Sequence, residues 1–133
     1  MPKFMLLQNY EGGDCTVPMS SWAPEEVKAH IDFQIDLNKE LAANGELVDA
    51  QGLSGPEQVR IVRSDGVAAP VITDGPFPES KEFLAGYRTI DVETPERAIE
   101  IAAMCSAAPG PGGIPMRLSI EVREVMSAPS AEQ

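Results

Sequence analysis

At 133 residues, the chain has the length of a single domain that can bury its own hydrophobic core. Its formal net charge is -11, from 21 acidic and 10 basic residues. Because proteins that bind nucleic acid need clustered Lys and Arg, this charge makes nucleic acid and anionic membrane surfaces poor candidates as partners. No apolar run is long enough for a signal peptide or a membrane span, so we expect a cytoplasmic protein.

The residue types that bind metals and cofactors are sparse. The two cysteines, Cys15 and Cys105, lie far apart without CxxC spacing, and His30 is the only histidine. We therefore predict no disulfide framework and no metal site, and we expect Cys105 to be buried as a small hydrophobic residue. Neither a phosphate-binding P-loop nor a dinucleotide-binding fingerprint is present, so no cofactor is predicted.

The first half of the chain predicts a strand, a helix and three short strands. Residues 3–9 are apolar on both faces, which favours a central place in a sheet. A helix is predicted over residues 24–44, because proline suits the first helical position and Asn-Gly is a stop signal. The strands follow at residues 46–50, 58–63 and 69–73, of which the last two form a hairpin through a Ser-Asp-Gly turn.

The second half adds a strand, a helix and a final strand. Residues 83–92 are predicted as a longer strand, and a capped helix follows at residues 95–106. Residues 116–125 alternate between apolar and polar side chains, so we predict a strand with one buried face. One domain is therefore predicted for residues 1–126, with a disordered tail at residues 127–133.

This order of elements predicts an α+β fold of the ferredoxin-like split βαβ type, with a hairpin inserted near its middle. Two helices cover only one face of such a sheet. The apolar first strand indicates that the other face is buried against a partner, and a two-fold dimer is the commonest way to bury it. We therefore expect a homodimer.

The first predicted helix carries a polar row. At about 100° per residue, His30, Gln34 and Asn38 fall on one side, inside an arc of apolar side chains that includes Ile31 and Ile35. Periodicity alone favours a structural role, in which the three residues bond to the sheet backbone or to one another. The alternative is a polar cavity between helix and sheet, where His30 would carry protons at neutral pH.

Arg88 lies among apolar neighbours in the predicted strand 83–92. A buried arginine needs an anionic partner, so Arg88 is a candidate ligand-binding residue. In the alternative, which the sequence alone favours, its guanidinium group extends past these neighbours to solvent.

Residues 74–82 form the most distinctive stretch, Asp-Gly-Pro-Phe-Pro-Glu-Ser-Lys-Glu. Asp74 can accept hydrogen bonds from nearby backbone N–H groups as an Asx-turn, and this role alone would explain it. In a functional interpretation, Asp74, Lys81 and Glu82 lie at the mouth of a pocket, where Asp74 orients the histidine and Lys81 attracts an anionic ligand. If both are in the strand, Lys81 and Glu82 point to opposite faces of the sheet and serve different sites.

This stretch resembles the DGPF signature of the YCII-related family, which usually continues Ala-Glu-Thr/Ser-Lys-Glu, and it departs from the signature only at Pro78. The chain is similar to the family also at residues 40–53, 83–87, 95–98 and 121–123. The resemblance implies ferredoxin-like protomers that pack sheet to sheet as a dimeric α/β barrel.

The resemblance also implies a function. The better-known branch, the YciI-like proteins, carries a His–Asp pair in a pocket, and His30 stands about where that histidine falls. The branch's aspartate belongs to an Asp-Pro segment with no match here, so Asp74 is taken as its substitute on chemical grounds alone. We therefore expect a small-molecule enzyme with His30 as general acid or base and Asp74 as its orienter, whose ligand-binding residues are Gln34, Asn38, Lys81, Glu82 and Arg88. The alternative is a non-catalytic module that binds a small ligand or a protein partner.

Overall fold

The part of the chain that the structure describes contains two α-helices and six strands. The structure is a computed structural model, and it describes residues 2–9, 19–55, 58–75 and 84–126. The helices are α1 (Pro24–Ala43) and α2 (Pro95–Ser106), and neither is long and apolar enough to cross a membrane. The strands are β1 (Lys3–Asn9), β2 (Leu47–Gly52), β3 (Val59–Arg63), β4 (Val71–Gly75), β5 (Leu84–Asp91) and β6 (Ile120–Glu124). Apart from the start of β6, every bound lies within two residues of its predicted place.

The main sheet has four antiparallel strands in the order β2-β5-β1-β6, and β3 and β4 form a separate two-stranded sheet. When the inserted hairpin is left aside, the four strands counted along the chain lie in the order 4-1-3-2. This arrangement agrees with the predicted ferredoxin-like α+β plan. The first strand lies between two others, as its two apolar faces predicted.

The hydrophobic core lies between the two helices and one face of the main sheet. Phe4 and Leu6 of β1 and Ile90 of β5 point to this face and are almost fully buried. Side chains from both helices complete the core, and Leu41 and Ile101 have no exposed surface. The helix layer therefore covers one side of the sheet, where the cavity described below also lies.

The buried face of α1 is narrower than the sequence predicts. Its buried residues are His30, Leu37 and Leu41, so the face is centred on the side that carries the polar row. Ile31 and Ile35, which were predicted inside the apolar arc, are 47% and 45% exposed. They lie more than a quarter turn around the helix from that centre, where the sheet no longer covers them.

The last strand begins at Ile120 instead of residue 116, so this predicted bound is wrong. Arg117 has a φ of 54°, in the left-handed region, which is incompatible with an extended strand. The N–H group of Leu118 donates to the carbonyl of Ser106 at 3.0 Å, and the hydroxyl of Ser106 donates to the carbonyl of Leu118 at 2.7 Å. The segment before β6 therefore follows the end of α2 and joins the sheet only afterwards.

A two-point ion pair connects the residue before β2 to α2. Arg97 donates from Nε and Nη2 to the two carboxylate oxygens of Glu46, at 2.8 and 2.9 Å. The hydrogen bonds from Arg97 hold the pKa of Glu46 below its ordinary value, although partial burial opposes the shift. The pair contributes to stability only while Glu46 is ionised.

Arg97→Gln is expected to lower the free energy of unfolding at neutral pH by about 1 kcal/mol, as expected for a partly exposed ion pair. Because the folded-state pKa of Glu46 is depressed, this contribution is present above the unfolded-state pKa of about 4.3. It is lost as the pH falls through the folded-state value, so the difference between the two proteins should vanish in acid. Urea unfolding at a series of pH values measures it. Lys28→Gln, which removes an exposed ion pair with Asp32, is the control and should change stability little. A difference that does not depend on pH would contradict the assigned role of Glu46.

Candidate functional site

A cavity of about 280 Å³ lies between α1 and the helix-facing side of β1, β2 and β5. The sheet carries small residues at this place. Gly86 of β5 pairs with Gly52 of β2, and Ala50 is the next residue of β2 on the same face. The two strands also approach closely here, because a Cβ at Gly86 would lie 2.9 Å from the carbonyl oxygen of Gln51. The cavity beneath α1 therefore exists because β2 and β5 carry glycine and alanine at this place.

The polar row of α1 borders this cavity and meets Arg88 of β5. Arg88 donates from Nε to Oδ1 of Asn38 at 2.8 Å, from Nη2 to Oε1 of Gln34, and from Nη1 to the sulfur of Cys105 at 3.4 Å. The register places Arg88 opposite Leu6, whose side chain points into the core. Arg88 is only 8% exposed. The expectation that its guanidinium group extends to solvent is therefore wrong.

These contacts fix the direction of each hydrogen bond in the row. A guanidinium group only donates, so the side-chain oxygens of Gln34 and Asn38 must face Arg88. The amide nitrogen of Gln34 then lies 3.3 Å from Nε2 of His30, which must accept. Nδ1 of His30 lies 3.0 Å from the carbonyl oxygen of Pro109, which can only accept. The network therefore fits the imidazole tautomer with its hydrogen on Nδ1 and its lone pair on Nε2.

Trp22 and the loop after α2 surround the imidazole of His30. The indole of Trp22 meets the ring edge to face, with the centroids 5.7 Å apart and the planes at 79°. Glu26 ties the loop to the start of α1, because its carboxylate accepts the N–H groups of Ala23 at 2.9 Å and of Gly112 at 2.6 Å. These two backbone hydrogen bonds lower the pKa of Glu26. An ionised carboxylate thus holds in place the loop whose carbonyl contacts His30.

The described hydrogen-bond partners of Arg88 are all neutral. In the part of the chain that the structure describes, no carboxylate lies within ion-pair distance of its guanidinium group. Cys105 is 1% exposed, as predicted, and burial raises the pKa of its thiol although Arg88 opposes the shift. The thiol is therefore protonated at neutral pH and supplies no negative charge. A buried cation without a counter-ion is costly, so this is the feature of the cavity that most needs an explanation.

Asp74 lies in β4 and does not line the cavity. Its side chain is 88% exposed, and its carboxylate lies 3.4 Å from Nε of Arg60 on β3. The predicted pairing of Asp74 with His30 is therefore not found within the chain as described. Lys81 and Glu82, which were predicted with Asp74 at the mouth of a pocket, lie outside the described residues, as does Cys15.

Comparison with known protein families tests the resemblance noted in the sequence. The family described as the YCII-related domain matches residues 3–114. The chain belongs to the YCII-related domain family. A search of the curated proteins finds no match.

The range matched by the YCII-related domain contains all the described residues that line the cavity. It ends before β6, which nevertheless pairs with β1 along most of its length. In the described ranges of this YCII-related chain, no group of three or more His, Cys, Asp or Glu side chains is placed to hold a metal ion. The polar side chains that line the cavity include those of Arg88, His30, Gln34 and Asn38.

Sequence reasoning missed three contributors to this cavity. The contact between His30 and Pro109 joins positions 79 residues apart, and no local pattern connects them. The bond from Arg88 to Cys105 is equally non-local. Gly86 is different, because a glycine inside a strand is a recognised signal of close backbone approach. That signal, taken with Gly52, could have located the cavity.

Proposed function

We propose that this protein binds a small molecule in the cavity beneath α1. One observation carries the proposal: a buried arginine and three polar side chains converge on a cavity of about 280 Å³. Ligand sites are typically concave and carry a few convergent polar groups among apolar ones. A purely structural polar network needs no such cavity, because protein interiors are close-packed.

Binding can be measured on the only histidine. Because His30 lines the cavity, its ring resonances report on occupancy in an NMR screen of small metabolites. We expect some compounds to shift these resonances saturably. Gly52→Leu is the control variant, because a Cβ at this position would meet no atom within 4 Å, and the rest of the leucine side chain can extend into the cavity that Gly52 lines. It should abolish the shifts. A broad set of compounds without any shift, or unchanged binding by Gly52→Leu, would refute the proposal.

We propose catalysis as a second candidate, with His30 as general acid or base on the bound molecule. The supporting observation is the contact between Nε2 of His30 and the amide of Gln34, which at 3.3 Å is long for a hydrogen bond. A bound hydroxyl or acidic C–H group can displace such a weak donor and reach the lone pair. The Pro109 carbonyl, in place of a carboxylate, would orient the ring.

His30→Asn separates catalysis from binding once a ligand is known. The amide of asparagine can still donate toward the carbonyl of Pro109. It has no atom at the position of Nε2, so the proposed acid or base is absent. We expect turnover to fall by about 10²- to 10⁴-fold with affinity largely retained, the range for loss of a general acid or base. His30→Gln, which restores a polar group near Nε2, is the matched variant. If turnover persists in His30→Asn, the non-catalytic binding module is the better description.

We also propose that two chains form a dimeric α/β barrel through the sheet face opposite the helices. Met5 and Leu7 of β1 point to that face and are only half-buried within one chain. Light scattering at micromolar concentration should give twice the chain mass of 14.3 kDa. A mass of one chain would contradict the dimer. We further propose that residues 1–126 form one domain and that residues 127–133 are a disordered tail. We also propose that the protein resides in the cytoplasm.

A further inference from the structure

Within the described ranges, Arg88 has more hydrogen-bond donors than its neighbours satisfy. A guanidinium group has five N–H donors, and Arg88 uses three of them, on Asn38, Gln34 and Cys105. Each terminal nitrogen makes one of these bonds and so keeps one further N–H group. Arg88 as a whole residue is 8% exposed, and it lines the cavity. The two remaining donors therefore belong to a buried group that borders the cavity.

The amide side chains add to this excess of donors. Their oxygens are turned to Arg88, so their NH₂ groups are turned away from it. Gln34 uses one N–H on His30, and within the described ranges the amide nitrogen of Asn38 donates to no acceptor. Nε2 of His30 already accepts from Gln34. Arg88, Gln34, Asn38 and His30 form one wall of the cavity. A molecule that binds against this wall must therefore supply hydrogen-bond acceptors.

The wall carries a positive charge as well as an excess of hydrogen-bond donors. Among the described residues, the buried guanidinium group of Arg88 has only neutral partners, and no carboxylate lies within ion-pair distance of it. Arginine presents a planar fork that matches the two oxygens of a carboxylate. One buried cation balances one negative charge. A phosphate ester brings nearly two negative charges at neutral pH, so a carboxylate fits this wall better.

We propose that the cavity binds a small monocarboxylate, whose two oxygens accept hydrogen bonds from the two remaining N–H groups of Arg88. This inference rests on the proposed small-molecule function and names the substrate class. The amide of Asn38 donates to the same oxygens or to a neighbouring acceptor of the ligand. At about 280 Å³, the cavity is slightly smaller than the usual range of ligand pockets, so the acid is a small one.

The test compares acids with neutral amides of the same shape. A series from acetate and acetamide to benzoate and benzamide is titrated against the ring resonances of His30. We expect the best acid to bind at least about tenfold more tightly than its amide, because charge-assisted hydrogen bonds are roughly twice as strong as neutral ones. Arg88→Gln should weaken the acid by about 10- to 100-fold and weaken the amide much less, because the NH₂ group of glutamine can still donate to a neutral carbonyl. Arg60→Gln, on the exposed hairpin, makes the same change in net charge and should affect neither.

Each other outcome overturns a defined part of the proposal. Equal binding of acid and amide, or unchanged acid binding by Arg88→Gln, overturns the carboxylate assignment but leaves a small-molecule cavity. Tighter binding of inorganic phosphate than of any carboxylate overturns it in favour of a phosphate ligand. If acids, amides and phosphate all leave the His30 resonances in place, the inference fails, and if the wider metabolite screen fails too, so does the proposed function. Should Arg88→Gln not fold, Arg88→Lys keeps the charge without the planar fork, and acid binding as tight as in the parent protein would overturn the two-point contact.

Discussion

Leu41→Ala is expected to lower the free energy of unfolding by about 2–5 kcal/mol. Leu41 lies on the buried side of α1, has no exposed surface, and packs in the core with residues of α2, β1 and β5. The truncation removes apolar contacts and leaves a hole that the sheet beneath cannot close, because protein interiors are nearly rigid on this scale. Urea unfolding followed by circular dichroism measures the loss.

Ile35→Ala is the matched control for this truncation. It removes a similar apolar group from the same helix, but Ile35 is 45% exposed. Its loss should stay below about 1 kcal/mol, since substitutions away from the core change stability little. Equal losses at Leu41 and Ile35 would mean that the buried face of α1 is as broad as the sequence suggested.

The elements predicted correctly from the sequence are those with local signals. The end of α1 is an example, because Gly45 has a φ of 74° and its N–H group donates to Ala42 at 3.0 Å. The turn of the hairpin is another, because Asp65 accepts the N–H group of Val67 at 2.9 Å. The hydrogen bonds that Asp65 accepts from the backbone N–H groups of Val67 and Ala68 also lower its pKa. Such signals depend on only a few neighbouring residues, so they do not change with the tertiary contacts of the rest of the chain.

The candidate site could be predicted only in part, because half of it is set by strand register. The row on α1 follows from helical periodicity, and that part of the hypothesis identified Gln34 and Asn38. Their partner Arg88 is 54 and 50 residues away and reaches them only because of its place in the sheet. Sequence alone could not decide between burial and solvent for Arg88, and the interpretation it favoured was wrong.

Asp74 shows the limit of arguing from chemical type. A carboxylate near the only histidine is a reasonable expectation, since such a pair is common in catalysis. The pairing of β4 with β3 instead carries Asp74 into a hairpin that is separate from the main sheet. Topology, which no local pattern encodes, decides which charged groups meet. The carbonyl of Pro109 contacts His30 where a carboxylate was expected.

Arg88→Met is expected to leave the free energy of unfolding of the ligand-free protein unchanged or to raise it, by up to about 4 kcal/mol. Methionine matches the side chain of arginine only as far as the position of Nε, and it removes a buried charge whose described partners are all neutral. The oxygens of Gln34 and Asn38 lose their donor, but they border a cavity in which water can hydrate them. Urea unfolding without ligand measures this effect.

Binding of the carboxylate should make the parent protein more stable to unfolding than Arg88→Met. At a hundredfold excess over its dissociation constant, a ligand that binds only the folded state adds about 2.7 kcal/mol of stability, and Arg88→Met should gain almost none of it. Arg97→Met is the contrasting variant, because it removes an arginine that is paired with Glu46 and should destabilise the protein with or without ligand. A loss of more than about 1 kcal/mol in ligand-free Arg88→Met, more than typical surface substitutions cause, would show that Arg88 is retained for the fold. Stability equal to or above that of the parent, with no response to the acid, would mean that the buried charge is retained for binding at the expense of stability.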